Sequence, residues 1–207
     1  LTAYQNKAYA QRYKAMVDKI AAREHELFGA DQYTLTQIVA RSYHKLLAYK
    51  DEYEVARLYS DGEFIKKLQS QFAGDYKIEF NLAPPLLSRK DPASGRPKKI
   101  KFGSWMMHGF KTLARMKGLR GTPFDIFGYT AERKAERQLI KDYEAMIETV
   151  LTKLNAENLD TCRELLALPE MVKGFGPVKH GNIEKFYTQH ARLLADLDYQ
   201  PPLEEAA

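Results

Sequence analysis

The sequence predicts a mainly α-helical, multi-helix domain with a small β-hairpin or short sheet inserted in the middle. Long stretches on either side of residues 76–102 place apolar residues three and four positions apart, the period of an amphipathic helix. Tyr76, Ile78, Phe80 and Leu82 instead alternate with polar residues, the period of a half-buried strand. Four of the nine prolines then fall in Pro84–Pro97, where no helix can continue.

The elements follow in order. Tyr4–Phe28 is predicted helical on the stripe Tyr9, Tyr13, Met16, Val17, Ile20, Leu27 and Phe28, with Gly29 as its stop. Thr34–Tyr59 reads as a second long helix carrying Leu35, Ile38, Val39, Leu46, Leu47 and Tyr53, ended by Asp61-Gly62. Glu63–Ala73 is a shorter third. After the strand at Tyr76–Leu82, the turn signals Asp91-Pro92 and Ser94-Gly95-Arg96-Pro97 lead to a second strand near Lys98–Phe102. Ser104–Met116 is predicted helical. Lys117–Tyr129 is a loop, and Thr130 caps a helix running to Leu154. Asn158–Leu166 is a further helix, Pro169–Lys173 a turn, and Asn182 caps a last helix to Leu197. This gives one domain over residues 1–197, built of N-terminal helices (1–73), a β or extended insert (76–102) and C-terminal helices (104–197), with 198–207 as a frayed tail.

Charge is unevenly placed. Ser88–Arg137 holds thirteen Lys/Arg and four Asp/Glu, a net of +9 against +5 for the whole chain, and six of the twelve glycines. Glycine-rich basic segments present backbone N–H groups together with cationic side chains, which suits an anion. The candidate anion-binding residues are Lys117, Arg120, Thr122, Thr130, Arg133 and Arg137 around the first glycine loop, and Lys173, Lys179 and His180 around Gly174-Phe175-Gly176-Pro177. The spacing is neither that of a Walker loop nor that of a dinucleotide fingerprint. The alternative is a structural connector whose arginines pair with Asp125, Glu132 and Glu136.

Other classes are disfavoured. One cysteine, Cys162, cannot form a disulfide framework or hold an iron–sulfur cluster, and a reducing, cytoplasmic setting fits it. The five histidines show no metal-ligand spacing, so no metal site is expected. No secretory signal and no run of about 18 apolar residues is seen, so no membrane partner is expected. Asp51 and Glu54 would share a helical face as a carboxylate pair, but Lys50 and Arg57 flank Glu54 at helical spacing and make it an ordinary solvated acid. Tyr4, Tyr9, Tyr13, Tyr43, Tyr49, Tyr53 and Tyr59 recur at helical spacing, which reads as packing rather than a base-stacking platform. The first residue is Leu rather than Met, and the chain is read as a piece of a longer protein.

Six blocks carry a resemblance: Tyr49–Tyr59 (YKDEYEVARLY), Asn81–Leu87 (NLAPPLL), Phe102–Met106 (FGSWM), Leu119–Thr122 (LRGT), Phe127–Arg133 (FGYTAER) and Gly174–Lys179 (GFGPVK). Together they resemble the C-terminal domain of single-chain indolepyruvate ferredoxin oxidoreductases, from about Tyr4 to His190. Asn81 stands where members of that family commonly have histidine. The resemblance implies a parent enzyme that oxidatively decarboxylates aryl 2-oxo acids, forms the acyl-CoA and reduces ferredoxin. It implies thiamine diphosphate, Mg²⁺ and iron–sulfur clusters held by other domains, a homo-oligomeric parent, and no catalytic residue here. The expected role is an accessory one: docking on the catalytic domains of the same polypeptide, with the basic window facing an acidic surface or the phosphates of CoA. A basic helical nucleic-acid-binding module is the alternative.

Overall fold

The computed structural model describes residues 1–74, 76–84 and 98–198. Among them the chain is mainly helical, with eight α-helices and one two-stranded antiparallel sheet. Its contacts group it into two compact units: Leu1–Tyr49 together with the chain from Ala131 onward, and Lys50–Thr130. The sequence-derived tail beyond residue 198 and the prolines of Pro85–Pro97 lie outside the described residues.

The first unit contains α1 (Lys7–Phe28) and α2 (Thr34–Leu47), and later α6 (Ala131–Lys153), α7 (Leu159–Ala167) and α8 (Pro177–Asp198). Asn6 starts α1 by accepting the Tyr9 N–H at 2.9 Å. The α2 helix packs against α1, α6 and α7, and its inward residues Leu35, Val39, Tyr43 and Leu47 are fully buried. Tyr143, Ile147, Leu165 and Phe186 complete the same core. Burying each such side chain contributes about 1.5–3 kcal/mol.

Polar groups at the ends of α2 are satisfied by side chains of α1 and of the turn before it. Tyr33 precedes it without a side-chain cap, and the buried Glu24 carboxylate from α1 accepts the N–H groups of Leu35 (2.8 Å) and Thr36 (2.9 Å) instead. A carboxylate there also meets the positive end of the helix dipole. Towards the other end, Tyr9 donates to the Leu47 carbonyl and Tyr4 to that of Tyr49, filling acceptors a helix terminus leaves open.

The second unit contains α3 (Glu52–Ser60), α4 (Glu63–Gln71), β1 (Phe80–Leu82), β2 (Ile100–Phe102) and α5 (Met106–Arg115). Phe80 pairs with Phe102 and Leu82 with Ile100. A small aromatic core holds it: Tyr59 stacks on Phe110 at 5.1 Å and meets Phe80 edge-on at 5.3 Å.

Three expected boundaries are corrected. The predicted helix Thr34–Tyr59 is two helices, because the Asp51 carboxylate accepts the Glu54 N–H at 2.8 Å and starts α3 afresh. The last helix begins at Pro177 rather than behind Asn182. Proline needs no N–H partner in a first turn, and the Asn182 amide donates to the Lys173 carbonyl instead of capping. The strand signal from Tyr76 yields pairing only over Phe80–Leu82. No helix among the described residues is long and apolar enough to cross a membrane.

Candidate functional site

In the second unit, the first glycine loop is built around two buried carboxylates. A 3₁₀ turn, Met116–Leu119, leads out of α5. Arg120 follows it and is 5% exposed. Its guanidinium makes a forked pair with Asp51, Nε to Oδ2 at 2.5 Å and Nη2 to Oδ1 at 2.9 Å, and lies 5.5 Å from the Tyr53 ring centroid. Asp51 thus serves both as the cap of α3 and as the counter-ion of Arg120.

Asp125 is the second carboxylate. It accepts the N–H groups of Gly121 (2.8 Å) and Gly128 (3.0 Å) and the Tyr53 hydroxyl (3.2 Å). Gly121 takes φ +76°, a conformation other residues adopt only with strain. Burial and the Asp125 carboxylate both push the Tyr53 hydroxyl above the usual tyrosine range. Thr122 donates its hydroxyl to the Leu119 carbonyl at 2.7 Å. Lys117 is half-buried, and the Thr130 N–H donates to Phe127 at 3.3 Å. While the inside of this loop is polar and closed, its outside is apolar: Phe124 is 74% exposed, Tyr129 60% and Ile126 55%.

In the first unit, Arg133 and Lys179 converge on the buried carboxylate of Glu136. The Arg133 guanidinium also lies 5.7 Å from the Tyr49 ring centroid. Arg137 is half-buried. Lys173 is exposed, and His180 is exposed beside the equally exposed Glu184 at 3.4 Å. Gly174 takes φ +92° against Val178, which sets the start of α8. Nearby, burial first and then the charges of Lys173 and Lys179 lower the affinity of Lys45 for its proton. Lys45 donates to the Pro169 carbonyl at 2.7 Å.

Three of the candidate anion-binding residues pair inside the chain. Arg120 pairs with Asp51, and Arg133 and Lys179 share the one carboxylate of Glu136, so an external anion would compete with these internal contacts. Sequence spacing identified Glu136 as a partner of the loop arginines but missed Asp51, which lies 69 residues from Arg120. The expected Arg57 partner of Glu54 is present at 2.7 Å, but Asp51 lies outside the helix and forms no carboxylate pair with it. Among the recurring tyrosines, Tyr4, Tyr43, Tyr49 and Tyr53 are buried, as packing requires. Cys162 is buried, and desolvation pushes its thiol up to about 11. Among the described residues, no group of three or more His, Cys, Asp or Glu is placed to hold a metal ion.

Over residues 1–192 the chain matches a family of unknown function, DUF6537. It belongs to this family. No curated protein and no solved structure matches it.

Proposed function

We propose that this chain is an accessory domain of a cytoplasmic 2-oxoacid:ferredoxin oxidoreductase of the indolepyruvate type, and that it docks on the catalytic domains of the same polypeptide. The supporting observation is the loop around Asp125. Three internal hydrogen bonds hold it in one conformation while Phe124, Ile126 and Tyr129 face outward. A rigid loop with an apolar exterior loses little entropy on binding and gains from burying its aromatic groups.

The resemblance supports the same reading in a second way. Its blocks contain Asp51, Tyr53, Arg120, Gly121, Gly128, Arg133 and Lys179, which take part in the internal pairs or donate to the loop's carboxylate, while the acceptors Asp125 and Glu136 lie outside the blocks. Motifs of this kind preserve a scaffold. The parent's thiamine diphosphate, Mg²⁺ and iron–sulfur clusters are assigned to the other domains. One buried, protonated thiol does not fit a cluster, which takes four thiolates. Because Arg120 and Lys179 already have counter-ions, docking is favoured over CoA phosphate binding.

The test uses the product of the complete reading frame. It is expected to reduce ferredoxin when given an aryl 2-oxo acid and CoA. Phe124→Ser/Ile126→Ser/Tyr129→Ser is expected to let limited proteolysis release this domain from the rest of the protein. A reading frame with no thiamine-diphosphate module, or a triple variant as protease-resistant as the parent, refutes the proposal.

A further inference from the structure

We propose that the outer face of α5 is a docking stripe for an acidic protein surface. The α5 helix is sharply two-sided. Phe110 is buried, and Met106 and Leu113 pack with it into the core of the unit. Trp105, His108, Lys111, Thr112 and Arg115 are all exposed. At 100° per residue these five fall within an arc of about 120°, a single row about 15 Å long.

Among the described residues the row is cationic without compensation. No Asp or Glu occurs anywhere from Lys98 to Phe124. Neither Lys111 nor Arg115 pairs with a carboxylate among the described residues, whereas Lys101 meets Glu79 and Arg120 meets Asp51. At the head of the row, Trp105 is the chain's single tryptophan, is 64% exposed and touches Phe102 edge-on at 5.9 Å. Tryptophan and arginine are the residues most enriched where binding energy concentrates in protein interfaces.

Charge density decides which partner fits. A nucleic-acid strand carries a phosphate about every 3.4 Å, so two fixed cations over about 15 Å leave most of it unneutralised. Carboxylates one helical turn apart match Lys111 and Arg115 in spacing, and an aliphatic side chain beside them covers the indole. The fitting partner is thus an acidic protein segment with an apolar edge. This surface stands independently of the oxidoreductase reading.

Trp105 makes the test direct, because all tryptophan emission of this 207-residue chain comes from this row. The probes are an 18-residue helical peptide with glutamates at i, i+4 beside leucines, and the ribo-oligonucleotide rU10. The peptide is expected to give a saturable emission change that weakens steeply with salt. Lys111→Glu/Arg115→Glu is expected to weaken it about tenfold, and the milder Lys111→Gln/Arg115→Gln about threefold. Lys66→Glu/Lys67→Glu on α4 leaves it unchanged. Three results overturn the proposal: no saturable change, equal loss in the α4 variant, or tighter binding of rU10 than of the peptide.

Discussion

Arg120→Met is the most informative single perturbation of the second unit. It keeps the length of the side chain and removes its charge, leaving the Asp51 carboxylate buried at 3% exposure without its forked partner. Breaking one side of a buried ion pair costs about 3–5 kcal/mol, because the remaining charge is desolvated and uncompensated. Asp51→Asn keeps an oxygen that accepts the Glu54 N–H, so α3 retains its cap, and the cost again falls on the pair. With both changes made, neither charge remains to be compensated. The double variant is expected to recover at least about 2 kcal/mol relative to the sum of the singles. Urea unfolding read by circular dichroism, together with hydrogen exchange of peptides spanning 50–60 and 117–130, measures this. With m of about 1–3 kcal/mol/M, a loss of 3 kcal/mol moves the midpoint by about 1 M or more. An Arg120→Met variant within about 1 kcal/mol of the parent, or an additive cycle, refutes the assignment of this pair as a fold determinant.

Asp125→Ala removes the acceptor of two amides and one hydroxyl and is expected to cost about 2–4 kcal/mol, with hydrogen-exchange protection lost selectively at Gly121 and Gly128. Gly174→Ala forces a Cβ to 2.8 Å from Val178 at φ +92° and is expected to lower stability by about 1–3 kcal/mol, read from the thermal midpoint. Burial raises the folded-state proton affinity of Tyr43, Tyr143 and Tyr187. Their contribution is therefore complete below the unfolded tyrosine pKa and declines as pH rises beyond about 10, which urea midpoints between pH 8 and 11 report. The Cys162 thiol, raised from 9.0 to about 11, holds about a hundredfold less thiolate at pH 8 than a free cysteine. It is expected to react with a disulfide reagent only on unfolding.

What the sequence makes legible is local. The stripes Leu35–Val39–Leu46 and Tyr143–Ile147–Val150 reveal the buried faces of α2 and α6, because helical period and burial share one cause. The Arg133–Glu136 pair is legible for the same reason, since a turn of helix joins them. The Arg120–Asp51 pair is not legible, because it joins two segments only after α3 and the glycine loop have packed. From sequence, Asp51 fits a helix face by its polar spacing. The decisive fact is its own hydrogen bond to the Glu54 amide, and no periodicity reports that. Trp105 is apolar and sits beside Met106 in the sequence, yet it faces outward, which composition alone does not report.

The basic window shows how a sequence feature changes meaning once the units are known. Lys50–Thr130 has fifteen Lys/Arg and nine Asp/Glu, a net of +6, whereas the remainder of the chain has seventeen and eighteen. The window Ser88–Arg137 crosses from one unit to the other at Ala131. Beyond that point Arg133 lies on α6, where Glu136 receives both it and Lys179. Before it, Arg120 turns inward to Asp51, while Lys111 and Arg115 stay outside on α5. Four cations of the run thus fall into three physical settings: a buried pair, a carboxylate that Arg133 shares with Lys179 from outside the run, and an open row on a helix. Of these three, the open row is the one whose cations meet no carboxylate among the described residues. Two of the window's glycines, Gly121 and Gly128, serve the loop itself by donating their N–H groups to Asp125.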